Sequence, residues 1–160
     1  MAYAGAFCLV QTYKMMKHDS DYKLMTYQNE ILSATQDSSA VELAHADKLA
    51  DLQSAKVAIN AVKPDDTKEL QRVMTEINGK GYDFSSASID KALAEIELEI
   101  TEETRDYQYA LADVAADEEV WQSKYDSEQT TNQMLQTNIE NFQAMVQNNI
   151  AESHTYGYDK

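Results

Sequence analysis

Glu42 and His45 are the one pair of side chains whose spacing could begin a metal site. They lie three residues apart in a segment with a helical pattern, which places a carboxylate and an imidazole on one helix face. Carboxylate-bridged di-iron bundles use two such pairs, plus a glutamate from each of two further helices. The sequence contains this pair alone. We therefore expect a solvated or capping role for His45, and no metal or other cofactor.

Nucleophilic catalysis has equally little support. Cys8 and the three histidines show no local signature of a catalytic group, and the four glycines form no phosphate-binding loop. Cys8 has apolar neighbours, so we expect it to pack as a small hydrophobic side chain. A metal-bundle oxidoreductase is therefore only the third hypothesis for function, and we expect that the chain is not an enzyme.

Composition favours an all-α protein that is soluble in water. Its 160 residues include only four Gly and one Pro. The formal net charge of −15 disfavours a nucleic-acid partner.

The apolar run Ala2 to Val10 is too short to span a membrane, and no positive residue precedes it as in a signal peptide. We expect an extracellular protein exported without a cleavable signal; a cytoplasmic location is the alternative.

The acidic residues are concentrated in the middle of the chain. Residues 1–36 hold three lysines and three acids, whereas residues 86–128 carry a net charge of −10. The glutamates between 95 and 103 alternate with apolar residues, which also fits a strand, but the helical pattern on both sides favours a solvated helix face. The residues predicted for this acidic face are Glu95, Glu99, Glu102, Glu103, Asp117, Glu118 and Glu119.

The order of these patterns predicts a long antiparallel helical hairpin with a small helical cap at its turn. Residues 1–62 form the N-terminal arm, with a turn or a kink at 35–39 where Ser39 and Glu42 fit a capping box. Residues 63–84 form the cap, which begins after Pro64 and contains a short helix at about 66–78. Residues 153–160 are a tail.

The segment 85–152 lacks Gly and Pro and predicts one helix of roughly 100 Å. We place its N-cap at Ser85, with Phe84 and Ile89 as a hydrophobic staple. Between 107 and 146 a seam follows alternating steps of three and four residues, which is typical of a coiled coil. The steps from Ile96 through Ile100 to Thr104 form a stutter.

The two ends of the chain are nearly neutral and rich in Tyr, Met and amide side chains, a composition typical of interfaces. The same residues could instead form the core of a bundle, and the apolar N-terminus could dock on its own C-terminal helix. The residues predicted for an assembly interface are Tyr3, Phe7, Val10, Tyr13, Met16, Leu135, Ile139, Phe142, Val146, Ile150, Tyr156 and Tyr158.

The layout resembles that of the extracellular filament and tip proteins of type III secretion systems and, more distantly, the helical ends of flagellin. The matching features are the apolar start, the Pro64-Asp65 break, the short helix ending at Ile77-Asn78-Gly79, Ile89-Asp90 at the start of the returning helix, and the amide-rich end. The resemblance implies that the terminal helices pair and line the inside of a helical tube. An export chaperone is then a further candidate partner.

Two functions are compatible with these patterns. The leading hypothesis is a self-assembling structural subunit of a secreted filament or tube, because neutral ends can pack on copies of themselves while the acidic middle stays in water. The alternative is a soluble helical binding module, such as an export chaperone, an adaptor or a phage assembly factor, whose seam accepts a partner helix.

Overall fold

The computed structural model describes residues 2–85 and 88–155, and places the side chains of residues 5–85 and 88–152. The chain forms three helices: α1 (Ala2–Asn60), α2 (Thr67–Asn78) and α3 (Ile89–Thr155). The all-α class is therefore confirmed. Because α3 covers residues 95–103, the strand alternative for that segment is not adopted.

The polar segment 35–39 does not interrupt α1. Its backbone is helical throughout, and the Ser39 hydroxyl donates a hydrogen bond to the Thr35 carbonyl at 3.1 Å. Ser39 therefore does not cap a new helix, and the predicted capping box is wrong. The reason lies in the apolar periodicity: Ala34, Ser38 and Val41 are all at least half-buried, so the three- and four-residue spacing continues through the segment.

Asp66 and two glycines delimit α2, which lies where the sequence predicts a short helix. The Asp66 carboxylate accepts a hydrogen bond from the Glu69 backbone N–H at 3.0 Å, which caps the helix N-terminus. Gly79 follows the last turn, and Gly81 adopts a φ of 103°, a conformation that favours glycine.

The helix α3 begins at Ile89, four residues after the predicted N-cap at Ser85. A backbone hydrogen bond at the start of the helix joins the Ala92 N–H to the Ser88 carbonyl at 3.0 Å. Asn78 holds the Phe84 backbone outside the helix, since its side-chain amide donates to the Phe84 carbonyl and its side-chain oxygen accepts from the Phe84 N–H, each at 2.8 Å. Phe84 and Ile89 still pack in the same apolar cluster, but they do not flank an N-cap at Ser85.

The chain divides into two compact units: unit 1 comprises Met1–Ala34 and Ala116–Lys160, and unit 2 comprises Thr35–Ala115. Unit 2 contains α2 and the adjoining parts of α1 and α3. Its contiguous core is formed by Leu52, Ala55, Ile59, Val62, Leu70, Val73, Met74, Ile77, Phe84, Ala92 and Ile96. All three helices contribute to this core, so it is closed on several sides.

Unit 1 has two helical segments and a much smaller core. Its buried apolar side chains, among the residues that the structure places, are Ala6, Val10, Ala34, Leu135 and Ile139. Aromatic pairs extend the contact, with Tyr13 stacked on Phe142 at 5.5 Å and Tyr27 tilted against Trp121 at 6.0 Å. Residue numbers thus rise along α1 as they fall along α3. The same order holds within unit 2, where Lys48 contacts Glu103 and Lys56 contacts Glu97.

Replacing Ile96 by Ala should destabilise unit 2 by about 2–5 kcal/mol, because the side chain is 0% exposed and its removal leaves a cavity in the core. Urea unfolding followed by circular dichroism measures the loss. Leu98→Ala is the matched control on the same helix; Leu98 is 60% exposed, so its change should stay within about 0.5 kcal/mol. Equal losses in the two variants would contradict the assigned core.

Candidate functional site

His45 lies in the contact between α1 and α3 of unit 2, and not at a solvated or capping position as predicted. Its ring stacks on Tyr107 with centroids 4.1 Å apart, while Glu42 is exposed. The Nδ1 atom of His45 is buried, lacks a hydrogen-bond partner and lies 3.6 Å from a Glu103 carboxylate oxygen. Across the side chains of 5–85 and 88–152, no group of three or more His, Cys, Asp or Glu could hold a metal ion.

Glu103 also belongs to this contact, which corrects its assignment to the solvated acidic face. Its side chain is only 15% exposed and its carboxylate accepts a hydrogen bond from Lys48 at 2.9 Å. That bond raises the pKa of Lys48. Of the other acids predicted for the acidic face, two are half-buried, Glu95 and Glu99, and four are exposed, Glu102, Asp117, Glu118 and Glu119.

The residues predicted for an assembly interface fall into three groups. Val10, Leu135 and Ile139 are buried inside unit 1, Tyr13 and Phe142 stack on each other, and Val146 is half-buried. Only Phe7, Met16 and Ile150 are exposed. The side chain of Tyr3 and all of Tyr156 and Tyr158 lie outside the described part of the chain. Much of the predicted interface therefore holds the two segments of unit 1 together.

The N-terminal segment of α1 has a buried side and an exposed side. Ala6 and Val10 are buried against unit 1, whereas Phe7 and Leu9 are exposed. Cys8, between them, is exposed too, so its prediction as a packed hydrophobic side chain is wrong. The physical reason is the helical period, which turns residues 7 to 9 away when 6 and 10 face inward.

Exposed apolar side chains are concentrated on unit 1. Of the fifteen large apolar residues that are exposed among the described positions, eleven belong to this unit. We call them the apolar surface of unit 1: Phe7, Leu9, Met15, Met16, Tyr22, Met25, Leu32, Val120, Met134, Met145 and Ile150. Single exposed apolar side chains are common on protein surfaces, whereas contiguous patches of them mark association sites.

The sequence analysis missed eight members of this surface, all except Phe7, Met16 and Ile150. A signal for them exists in the sequence. The seam that was counted along α3 has a counterpart on α1, where the positions 6, 10, 13, 17, 20, 24, 27, 31 and 34 are all buried or half-buried. Counting α1 in the same way places Leu9, Met15 and Tyr22 off the seam and therefore in solvent.

One flank of unit 1, beside the seam, is polar. A cavity of about 400 Å³ lies there, and its polar lining comes from both helical segments: Lys14, Lys17, His18, Asp21, Gln136 and Gln143. Asp21 bonds to Lys17 at 3.0 Å and to the Asn132 side-chain amide at 2.7 Å. Asn132 also donates to the buried hydroxyl of Ser20 at 3.2 Å. These hydrogen bonds place a polar layer inside the helix pair, next to this flank.

The opposite flank combines exposed apolar side chains with one group of charges, in which Lys23 pairs with Asp19 at 3.3 Å and with Glu128 at 4.0 Å. By their positions relative to the buried seam, Leu9 and Met16 of α1 lie on the same side of the helix pair as Met134 and Met145 of α3. All four side chains are exposed. We call these four residues the apolar flank. No charged residue occurs on α3 between 129 and 139, or between 141 and 151, so the part of the flank that α3 contributes is uncharged and rich in amides.

None of the helices in the described ranges combines the length and the apolar character needed to cross a membrane. Comparison of the chain with protein-family models, with curated proteins and with solved structures gave no match. A function must therefore be argued from this chain's own residues.

Asp21 should make unit 1 more stable at neutral pH than in acid. Hydrogen bonds from Lys17 and then Asn132 lower the pKa of Asp21 below its ordinary value of about 3.9. The ionised carboxylate therefore contributes to the free energy of unfolding above about pH 4, and this contribution is lost as the pH falls through the lowered pKa. Asp21→Asn should cost less than about 1 kcal/mol at pH 7, since the group is largely exposed, and almost nothing near pH 2.

Urea unfolding of wild type and variant at both pH values measures this difference. Asn132→Ala removes one of the two hydrogen-bond donors to the Asp21 carboxylate. In that background, the change in the free energy of unfolding caused by Asp21→Asn should depend less on pH. If Asp21→Asn lowers the free energy of unfolding equally at pH 7 and pH 2, the proposed stabilisation by the ionised Asp21 carboxylate is wrong.

Proposed function

We propose that this protein is a self-assembling structural subunit whose copies pack through the apolar flank of unit 1. The observation that carries the proposal is the contrast between the two units. Among the residues whose side chains are described, unit 2 has a closed core of eleven buried residues, whereas unit 1 has five buried apolar residues and eleven large exposed ones. A pair of helices with so small a core gains stability when further helices cover its outer faces.

The proposal includes a finer description of the helix contact as an antiparallel coiled coil. The order of contacts along α1 and α3 supports it, as does the three- and four-residue spacing of the buried positions on both helices. Within such a coil, the side chains that face each other are buried between the two helices. Side chains on its flanks remain for contacts between copies.

A filament or tube, and not a closed dimer, is the form of assembly that we propose. Unit 2 carries seventeen acids against eight Lys and Arg, a net charge of −9. Repulsion between such units disfavours an arrangement that brings them together, whereas contacts through unit 1 can repeat. Secretion, and the likeness to type III secretion filaments, belong to the same proposal and rest on the layout of the chain.

The binding-module hypothesis in its original form has less support. It requires a seam that accepts a helix from a partner, and the buried seam positions of α3 are already covered by α1 within each unit. A module could still use the apolar surface of unit 1. Purified protein that stays as small particles at every concentration would favour it over self-assembly.

Placing two negative charges on the apolar flank should abolish assembly and leave the folded chain intact. In Met134→Glu/Met145→Glu both substitutions lie at exposed positions, so the helix content should not change. Burying the new carboxylates between copies would be strongly unfavourable. Negative-stain electron microscopy and light scattering across a concentration series should show fibres or tubes for the wild type and small particles for this variant.

Gln133→Glu/Gln147→Glu is the matched control, because it adds the same charge to the same helix at exposed positions away from the apolar flank. It should assemble nearly as the wild type does. Loss of assembly in both variants would point to net charge as the cause, and a wild type that never assembles would remove the proposal altogether.

A further inference from the structure

The geometry points to a redox switch on the apolar flank: we infer that a hydroperoxide oxidises Met16, Met134 and Met145 to methionine sulfoxide and thereby releases the copies from one another. The inference rests on the proposed function, since it concerns the same surface. It adds a modification, the class of oxidant and a direction of regulation.

The distribution of the methionines carries the inference. Six methionines have described side chains; five of them are exposed on unit 1, at Met15, Met16, Met25, Met134 and Met145, and only Met74 is buried, in the core of unit 2. A small oxidant in solution therefore reaches these five methionine side chains of unit 1 and is kept from Met74, which supports the core of unit 2. Oxidation should change the surface of the folded chain without unfolding it.

The chemistry is a two-electron oxygen transfer. The thioether sulfur attacks the terminal oxygen of the hydroperoxide, the O–O bond breaks, and a sulfur–oxygen bond forms. The remaining oxygen takes up the proton and leaves as water when the oxidant is hydrogen peroxide, or as an alcohol when it is an organic hydroperoxide. The sulfur is oxidised, the peroxide is reduced, and methionine sulfoxide reductases can reverse the change.

The surroundings of the flank make this modification unfavourable for assembly. A sulfoxide is polar and accepts hydrogen bonds, so burying it between copies requires a donor. The two lysines that follow Met16 on α1 are engaged in ion pairs, Lys17 with Asp21 and Lys23 with Asp19 and Glu128, so a buried sulfoxide must compete for the side-chain amides around it. Three flank sulfoxides should therefore raise the concentration needed for assembly by at least about tenfold.

The test uses the full chain with Cys8→Ser, which removes the one thiol that could also react. The protein is treated with hydrogen peroxide, the oxidised residues are identified by peptide mass spectrometry, and assembly is followed by light scattering. Met16→Leu/Met134→Leu/Met145→Leu keeps the flank apolar but removes its sulfurs. Met15→Leu/Met25→Leu is the control, because these two residues are equally exposed but lie away from the flank.

We expect oxidation at the five exposed methionines and not at Met74. Peroxide should abolish assembly of the parent and of Met15→Leu/Met25→Leu. The triple Leu variant should still assemble after the same treatment. Assembly of the parent that persists with the three flank sulfurs oxidised would overturn the switch alone. So would a triple Leu variant that is as sensitive as the parent. A parent that does not assemble before oxidation would instead remove the proposed function, and the switch with it.

Discussion

The limited area that two helices can bury against each other is the constraint on which the structure of unit 1 depends. Each helix turns only a narrow stripe towards its partner, and all other positions remain in solvent unless a further element covers them. In unit 2 the short helix α2 is such an element, and Leu70, Val73 and Ile77 complete a core with α1 and α3. Unit 1 has no third helix among its described residues, and its apolar side chains stay exposed.

Polar groups inside the helix contacts fix the alignment of the two segments in each unit. In unit 1, Asn132 bonds to Ser20 and Asp21, and a shift along the helix would leave the buried Ser20 hydroxyl and the half-buried Asn132 amide without these partners. In unit 2, Glu103 accepts a hydrogen bond from Lys48 at 2.9 Å and the rings of His45 and Tyr107 stack at 4.1 Å. A shift of α1 along α3 would separate these partners as well.

The sequence was sufficient to predict the helices and their order, but not which side chains are exposed. The absence of Gly and Pro from the long C-terminal segment, and the Pro64-Asp66 break, were sufficient for the helices and their order. The start of α3 was predicted at Ser85 and lies at Ile89, because local capping preference does not distinguish Ser85 from Ser88, whose carbonyl accepts from the Ala92 N–H. The interface residues were chosen by type, and type alone does not separate Val10, which is buried, from Leu9, which is exposed.

In the proposed assembly, charge and apolar surface act together on how copies can meet. The acids of unit 1 cluster between Asp117 and Glu128, where they leave the segments 1–34 and 129–160 with a net charge of only −2. Copies can therefore approach through these neutral segments, while the acidic parts repel one another over distances of about a Debye length. Methionine suits such a contact, because its flexible side chain adapts to more than one packing geometry. Specificity must then come from the amides that surround the flank, such as Asn138 and Asn141, since a methionine surface alone would also accept unrelated helices.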